Sequence, residues 1–173
     1  MRTIAGMMTL LGVLCGSTAA HAHITLEQKE AAVGSSYKAT FRVPHGCGAS
    51  PTVKIRVRIP DGVIGVKPMP KPGWQLDIAK GPYDKPYALS HGSISEGVKE
   101  VAWSGGRLPD DYYDEFVLTA FLTNELTPGR TLYFPVVQEC ENGVHRWIEI
   151  PPEGTPASKL EEPAPGLKLL PKP

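Results

Sequence analysis

Between Thr52 and Pro60 the chain alternates without interruption: Val53, Ile55, Val57 and Ile59 are apolar, and Lys54, Arg56 and Arg58 are basic. Side chains of a β-strand point to opposite faces with a period of two, so this run places one face on a core and the other in water. Tyr37-Lys38-Ala39-Thr40-Phe41-Arg42-Val43 repeats the alternation just upstream.

The rest of the chain is punctuated in the same sense. Eighteen prolines and eighteen glycines fall between short apolar runs, a pattern that suits strands and turns better than long helices. Further strands are expected at 24–27, 63–66, 74–79, 98–103, 113–122, 131–137 and 144–150. Turn signals such as Pro60-Asp61-Gly62, Pro72-Gly73, Ser104-Gly105-Gly106 and Thr127-Pro128-Gly129 separate them, and Asn142-Gly143 is the strongest hairpin signal. About nine short strands so spaced predict an all-β chain, folded as an antiparallel two-sheet β-sandwich of immunoglobulin-like appearance.

The first 22 residues read differently. One positive charge at Arg2 precedes an apolar run from Ile4 to Leu14, and small residues follow as far as Ala20-His21-Ala22. This is the layout of a cleaved secretory signal. The run is too short to span a bilayer, and no later stretch approaches the roughly 20 apolar residues a transmembrane helix needs. Cys15 follows Leu14, where a lipidated cysteine would follow a small residue, so a lipid anchor ranks low. The domain reading is a leader at 1–22, one β-sandwich domain at 23–150, and a tail at 151–173. That tail holds seven prolines and no aromatic residue and reads as an extended tether.

Charge excludes some partners. The chain has 18 Lys and Arg against 18 Asp and Glu, which offers no concentrated positive face for nucleic acid or for an anionic membrane surface. Small ligands or ions remain. Beyond the leader there are two cysteines, Cys47 and Cys140. In an exported chain such a pair reads first as a disulfide, and as two thiolate metal ligands only second. There is no Gly-rich phosphate loop and no G-x-S-x-G nucleophile motif, so a binding protein is expected rather than an enzyme.

Cleavage after Ala22 would expose His23 as the first residue. Its α-amine and imidazole can then chelate one metal, displacing protons near neutral pH, and nitrogen-rich tetragonal ligand sets favour Cu(II). An ordinary exposed terminal residue is the plain alternative. Cleavage after Ala20 would instead leave His21-Ala22-His23, a flexible chelate needing nothing from the folded domain. The rest of the chain offers other donors. Glu115 shares a strand face with Val117, Thr119 and Phe121, where a carboxylate is costly to bury unpaired; an exposed strand-end acid is the commoner case. Trp147 points the same way as His145 and Glu149 rather than into an apolar layer, and an indole there could shield a metal. Trp74 and Trp103 read as core. His45, His91 and His145 are further imidazole candidates, though a structural role is the default for the first two, and Met69 is a soft thioether suited to Cu(I).

Several motifs occur together and in order: His45-Gly46-Cys47, Ile59-Pro60-Asp61-Gly62, Pro72-Gly73-Trp74, Trp103-Ser104-Gly105-Gly106, Asp114-Glu115-Phe116, Phe134-Pro135 and Gln138-x-Cys140-x-x-Gly143-x-x-x-Trp147. Over nearly all of 23–150 they resemble the YcnI-like domain of bacterial exported proteins. The resemblance implies a β-sandwich that binds Cu(II) through a mono-histidine brace, with the roles of N-terminal histidine, glutamate and tryptophan falling on His23, Glu115 and Trp147. It implies the disulfide Cys47–Cys140. It also implies a periplasmic or extracytoplasmic metallochaperone or scavenger, exchanging copper with another exported chaperone or a membrane copper transporter. Two other functions stay open: a copper oxidase or monooxygenase using a second imidazole near His23, and a copper-independent interaction module recruiting a partner at a sheet edge.

Overall fold

A computed structural model describes residues 23–89, 92–152 and 154–172. The expected leader at 1–22 and the candidate ligand His91 lie outside the described residues. Twelve strands run in order: β1 (Thr25–Leu26), β2 (Glu30–Ala32), β3 (Ser36–Val43), β4 (Thr52–Arg58), β5 (Val63–Pro68), β6 (Gln75–Leu89), β7 (Gly92–Leu108), β8 (Asp114–Leu122), β9 (Thr131–Tyr133), β10 (Val136–Cys140), β11 (Val144–Trp147) and β12 (Gly166–Leu170). One 3-10 turn, Ala157–Lys159, precedes β12. No described helix is long and apolar enough to cross a membrane.

Two antiparallel sheets carry the sandwich, one ordered β1-β3-β8-β5 and the other β11-β10-β4-β7-β6. The alternation of β3 and β4 turns out as the period of two requires. Tyr37, Ala39, Phe41 and Val43 are buried, as are Ile55, Val57 and Ile59, while Lys38, Arg42 and Arg58 are exposed. Phe116, Leu118, Ala120 and Leu122 of β8 complete the inner layer. Edge-on aromatic pairs lock it, with Phe41 at 5.7 Å from Phe134 and Trp103 at 5.5 Å from Phe116. Burying each such side chain stabilises the fold by roughly 1.5–3 kcal/mol. Trp103 is fully enclosed, its Nε1 donating to the Met69 carbonyl at 3.0 Å. Trp74 is only half-buried; it packs edge-on to Phe116 and lies so close over Gly106 that a Cβ there would meet its ring at 2.1 Å.

Three sequence expectations need correcting. The expected strands 74–79 and 98–103 cover only the half far from the turn of a much longer ribbon, β6 with β7, whose register shifts between Ala79 and Lys80 and again between Pro82 and Tyr87. β6 is the outer strand of its sheet, and an edge strand tolerates prolines that an inner strand would not. The expected strand 131–137 is two strands. Pro135, which has no N–H to give, stands where the chain leaves one sheet and enters the other; Phe134 donates to the Pro165 carbonyl, and the Pro135 carbonyl accepts from Arg58.

The third correction concerns the tail. Residues 151–173 do not form a free tether, because β12 inserts between β2, to which it runs parallel, and β9, to which it runs antiparallel. Leu167 and Leu169 are buried in the main core. Average composition hid the alternation Leu167-Lys168-Leu169, which needs no more than five residues to dock.

The disulfide joins Cys47, in the turn after β3, to Cys140, at the end of β10, with Cα atoms 6.1 Å apart. The Asn142-Gly143 turn links β10 to β11 as expected, with Gly143 at φ +104° and Cys140 N–H donating to the Gly143 carbonyl.

Candidate metal centre

β1 is short but firmly placed. Thr25 and Leu26 pair with Arg42 and Phe41 of β3, and Ile24 and Leu26 are each only 1% exposed. His23 is therefore held immediately ahead of a buried residue. Its ring meets Trp147 edge-on, with centroids 5.4 Å apart and planes at 67°.

Trp147 is not outside the apolar layer, as the sequence suggested; it is buried and belongs to the core. β11 is an edge strand, and the row carrying His145 and Trp147 faces inward over the margin of the sandwich. The indole Nε1–H donates to Gln138 Oε1 at 2.9 Å. Gln138, itself buried, donates from Nε2 to the His45 carbonyl and to Thr52 Oγ1, both at 2.8 Å. The polar ends of a core glutamine are thus satisfied by three groups from three segments, which is what allows them to be buried. His145 lies two residues before Trp147 on the same face, its ring 5.1 Å from the indole.

The segment that composition set aside forms the opposite wall. His23, His145 and Trp147, together with residues 158–162, line an open pocket of about 550 Å³. Glu162 is its organising side chain: His145 Nδ1 donates to Oε1 at 2.6 Å, and the Arg146 N–H donates to Oε2 at 2.9 Å. The Glu162 N–H donates in turn to a Glu149 carboxylate oxygen at 2.6 Å. Sequence reasoning missed both Gln138 and Glu162. Gln138 had a signal, since its register with Val136 and Cys140 on one strand turns it inward. Glu162 had none, because nothing local in a Pro-rich stretch announces a partner on β11.

Glu115 stands elsewhere. It lies in register with Arg42, which lies in register with Thr25, so two strand spacings, about 10 Å, separate its backbone from β1. It shares the outward face of that sheet with Arg42, its carboxylate 3.7 Å from the guanidinium, whereas Trp147 is inside the sandwich. The structure brings His23 and Trp147 together and does not bring Glu115 to them, because Phe116 takes the inward position and the period of two turns its neighbour out. His45 reaches the network through its carbonyl; its Nδ1 donates to the Gly46 carbonyl at 2.6 Å and lies 3.8 Å from Asp110. Met69 is exposed, and its contact with Trp103 is through the backbone.

Among the described residues no three His, Cys, Asp or Glu side chains cluster closely enough to cage a metal. The closed three- or four-side-chain arrangement of structural zinc is therefore not built here. A chelate that starts from two nitrogens of one residue does not need such a cluster. His23 fits that donor chemistry, beside an indole and a second imidazole.

A profile of the family described as Domain of unknown function (DUF1775) matches residues 23–169. The match begins at His23 and includes β12. Among solved structures, the chain is similar to an uncharacterised protein from Nocardia farcinica whose crystal structure reveals an immunoglobulin-like fold, with a TM-score of 0.62 and 25% identity over 86% of this chain and 98% of that one. No curated protein matches. With the sandwich, the disulfide and a profile match spanning nearly all the described residues, the chain belongs to the DUF1775 family of YcnI-like domains.

Proposed function

We propose that this is an exported copper-binding protein, a Cu(II) metallochaperone or scavenger rather than an enzyme, anchored by His23 once the chain is cut after Ala22. The observation that carries the reading is the position of His23: fixed by the buried Ile24, edge-on to Trp147, and open to a pocket on its far side. The amine and imidazole supply two nitrogens in the arrangement Cu(II) favours. Trp147 supplies an apolar wall; its Nε1–H is a donor only and is already bonded to Gln138, so the indole shields the ion rather than lending it a nitrogen. Glu115, on the outer face with Arg42, has no part in this set. The copper ion is cargo, received from and passed to another exported chaperone or a membrane copper transporter.

The test begins with the intact mass of the exported chain, which should correspond to cleavage after Ala22. Titration of that material should give one Cu(II) per chain, and His23→Ala should abolish it. A chain carrying extra residues before His23 should also fail to bind at this site. Unchanged stoichiometry and affinity in His23→Ala would sink the reading. Cleavage after Ala20 would replace it with a flexible His21-Ala22-His23 chelate.

A further inference from the structure

The indole beside His23 is held by a single polar bond, and that bond comes from a glutamine that touches neither His23 nor its pocket. Resting on the copper reading, we infer that Gln138 is the positioning residue of the site: it fixes the plane of Trp147 against the His23 imidazole, so that copper bound by His23 meets one ring geometry.

Three observations carry the assignment. Trp147 is the last residue of β11, and the chain turns at once, with the Ile148 N–H donating to the Arg146 carbonyl at 2.7 Å. The ladder with β10 ends at the Trp147–Val136 pair, so the backbone sets where the side chain starts and not the plane of its ring. An indole has one polar handle, an N–H that donates and cannot accept, and Gln138 Oε1 takes it at 2.9 Å.

The glutamine, in turn, cannot reverse its amide. Its Nε2 stands 2.8 Å from the His45 carbonyl, which only accepts, so the nitrogen must face that side and the oxygen must face the indole. The Thr52 hydroxyl takes the second Nε2 hydrogen at 2.8 Å. Both holders are anchored at the disulfide: His45 precedes Gly46 and Cys47, and Thr52 Oγ1 lies 3.7 Å from Cys140 Sγ. The aim of the indole is thus referred to the most constrained corner of the sandwich.

The third observation weighs against a role in filling space alone. Val136, on the same inward row of β10, is apolar and fully buried, and an apolar side chain would fill the Gln138 position without the cost of burying an amide. What the amide adds is orientation. The indole so held meets the His23 ring edge-on, with centroids 5.4 Å apart and planes at 67°, and rotation of the indole about its Cβ–Cγ bond would undo that contact.

The experiment uses the chain cut after Ala22, loaded with one equivalent of Cu(II), with EPR reporting ligand geometry and a competing chelator measuring affinity. Gln138→Met keeps the length of the side chain and removes the amide. It should retain one copper per chain, bind roughly 10-fold more weakly, as expected of a group standing behind a metal ligand, and split the single set of copper hyperfine lines into more than one. Trp147→Phe should do the same, and Gln138→Met added to Trp147→Phe should cause no further loss, since the amide then has no indole to aim. Leu118→Ala, a core truncation in the opposite sheet, should lower the melting temperature and leave affinity and spectrum native, which separates positioning from stability. Native affinity and a native spectrum in Gln138→Met or in Trp147→Phe overturns the inference, as does an equal Gln138→Met loss with and without the indole. The copper reading survives either result provided His23→Ala abolishes binding. If His23→Ala binds copper as the native chain does, the copper reading fails and this inference with it.

Discussion

Across the β10–β11 pair the Trp147 indole donates to the Gln138 side chain at 2.9 Å, in a part of the core where Trp147 is 5% and Gln138 1% exposed. Gln138→Leu would keep the volume and strip the partner from the indole N–H and the His45 carbonyl. Leaving buried polar groups unpaired costs about 1–3 kcal/mol each, so a loss of about 2–4 kcal/mol is expected in urea unfolding. A change below about 0.5 kcal/mol would mean that water replaces the amide.

Cys47 and Cys140 are 93 positions apart, and closing so long a loop restricts the unfolded chain by roughly 4–5 kcal/mol on the chain-entropy model. The double substitution to Ser should lower the unfolding midpoint accordingly. The copper stoichiometry should stay at one, because neither sulfur is a ligand in the proposed site. Loss of copper with retained fold would revive the thiolate alternative.

Two tyrosines predict how the fold responds to alkali. Tyr37 donates to the Gln28 carbonyl at 2.6 Å, and burial raises its pKa beyond the ordinary range. Tyr87 is pushed up to about 12, by burial first and then by its bond to the Asp84 carboxylate. Both folded-state values lie above the unfolded value near 10, so their contribution is fully present below pH 10 and is lost as pH rises from there toward 12. Chemical denaturation at pH 8, 10 and 11 should show stability falling only across the last interval. Tyr87→Phe should flatten that fall while costing about 1 kcal/mol at pH 8 through its lost hydrogen bonds. Tyr83, whose pKa burial also raises, should join Tyr37 and Tyr87 in ionising late.

Leu167→Ala tests whether the Pro-rich segment belongs to the fold. A buried leucine truncated to alanine costs about 2–5 kcal/mol, whereas a leucine on a free tether would cost nothing measurable. Thermal melting distinguishes the two directly.

The strands were legible wherever alternation was uninterrupted, as in 53–59 and 37–43, because burial on one face imposes a period of two that composition cannot disguise. Legibility failed where prolines lie on an edge strand, as at Pro82 in β6, since the rule against proline applies to strands bonded on both sides. It failed again in the tail, where the two leucines that become buried, Leu167 and Leu169, were outweighed by seven prolines in the average. At the site, His23 stood out through its place behind the expected leader. Trp147 stood out through the family motif, but its burial did not, because an edge strand can turn its inward row over the sheet margin. Glu115 was singled out from the apolar company of its strand face and from the family motif. Register instead puts it beside Arg42, on the side of the sheet away from Trp147. Glu162 is joined to His145 by tertiary structure alone, and no spacing along the chain encodes that.

The parallel pairing of β2 with β12 makes one mechanical unit of strands far apart along the chain. His23 precedes the first of these strands, with β1 between them, and Glu162 sits just ahead of the second, so the pocket that both line is completed when Gly166–Leu170 docks. On the copper reading, a chain whose last strand has not docked cannot retain the ion. On the same reading, loading would be a form of quality control, with cargo accepted only once the last strand has closed the pocket.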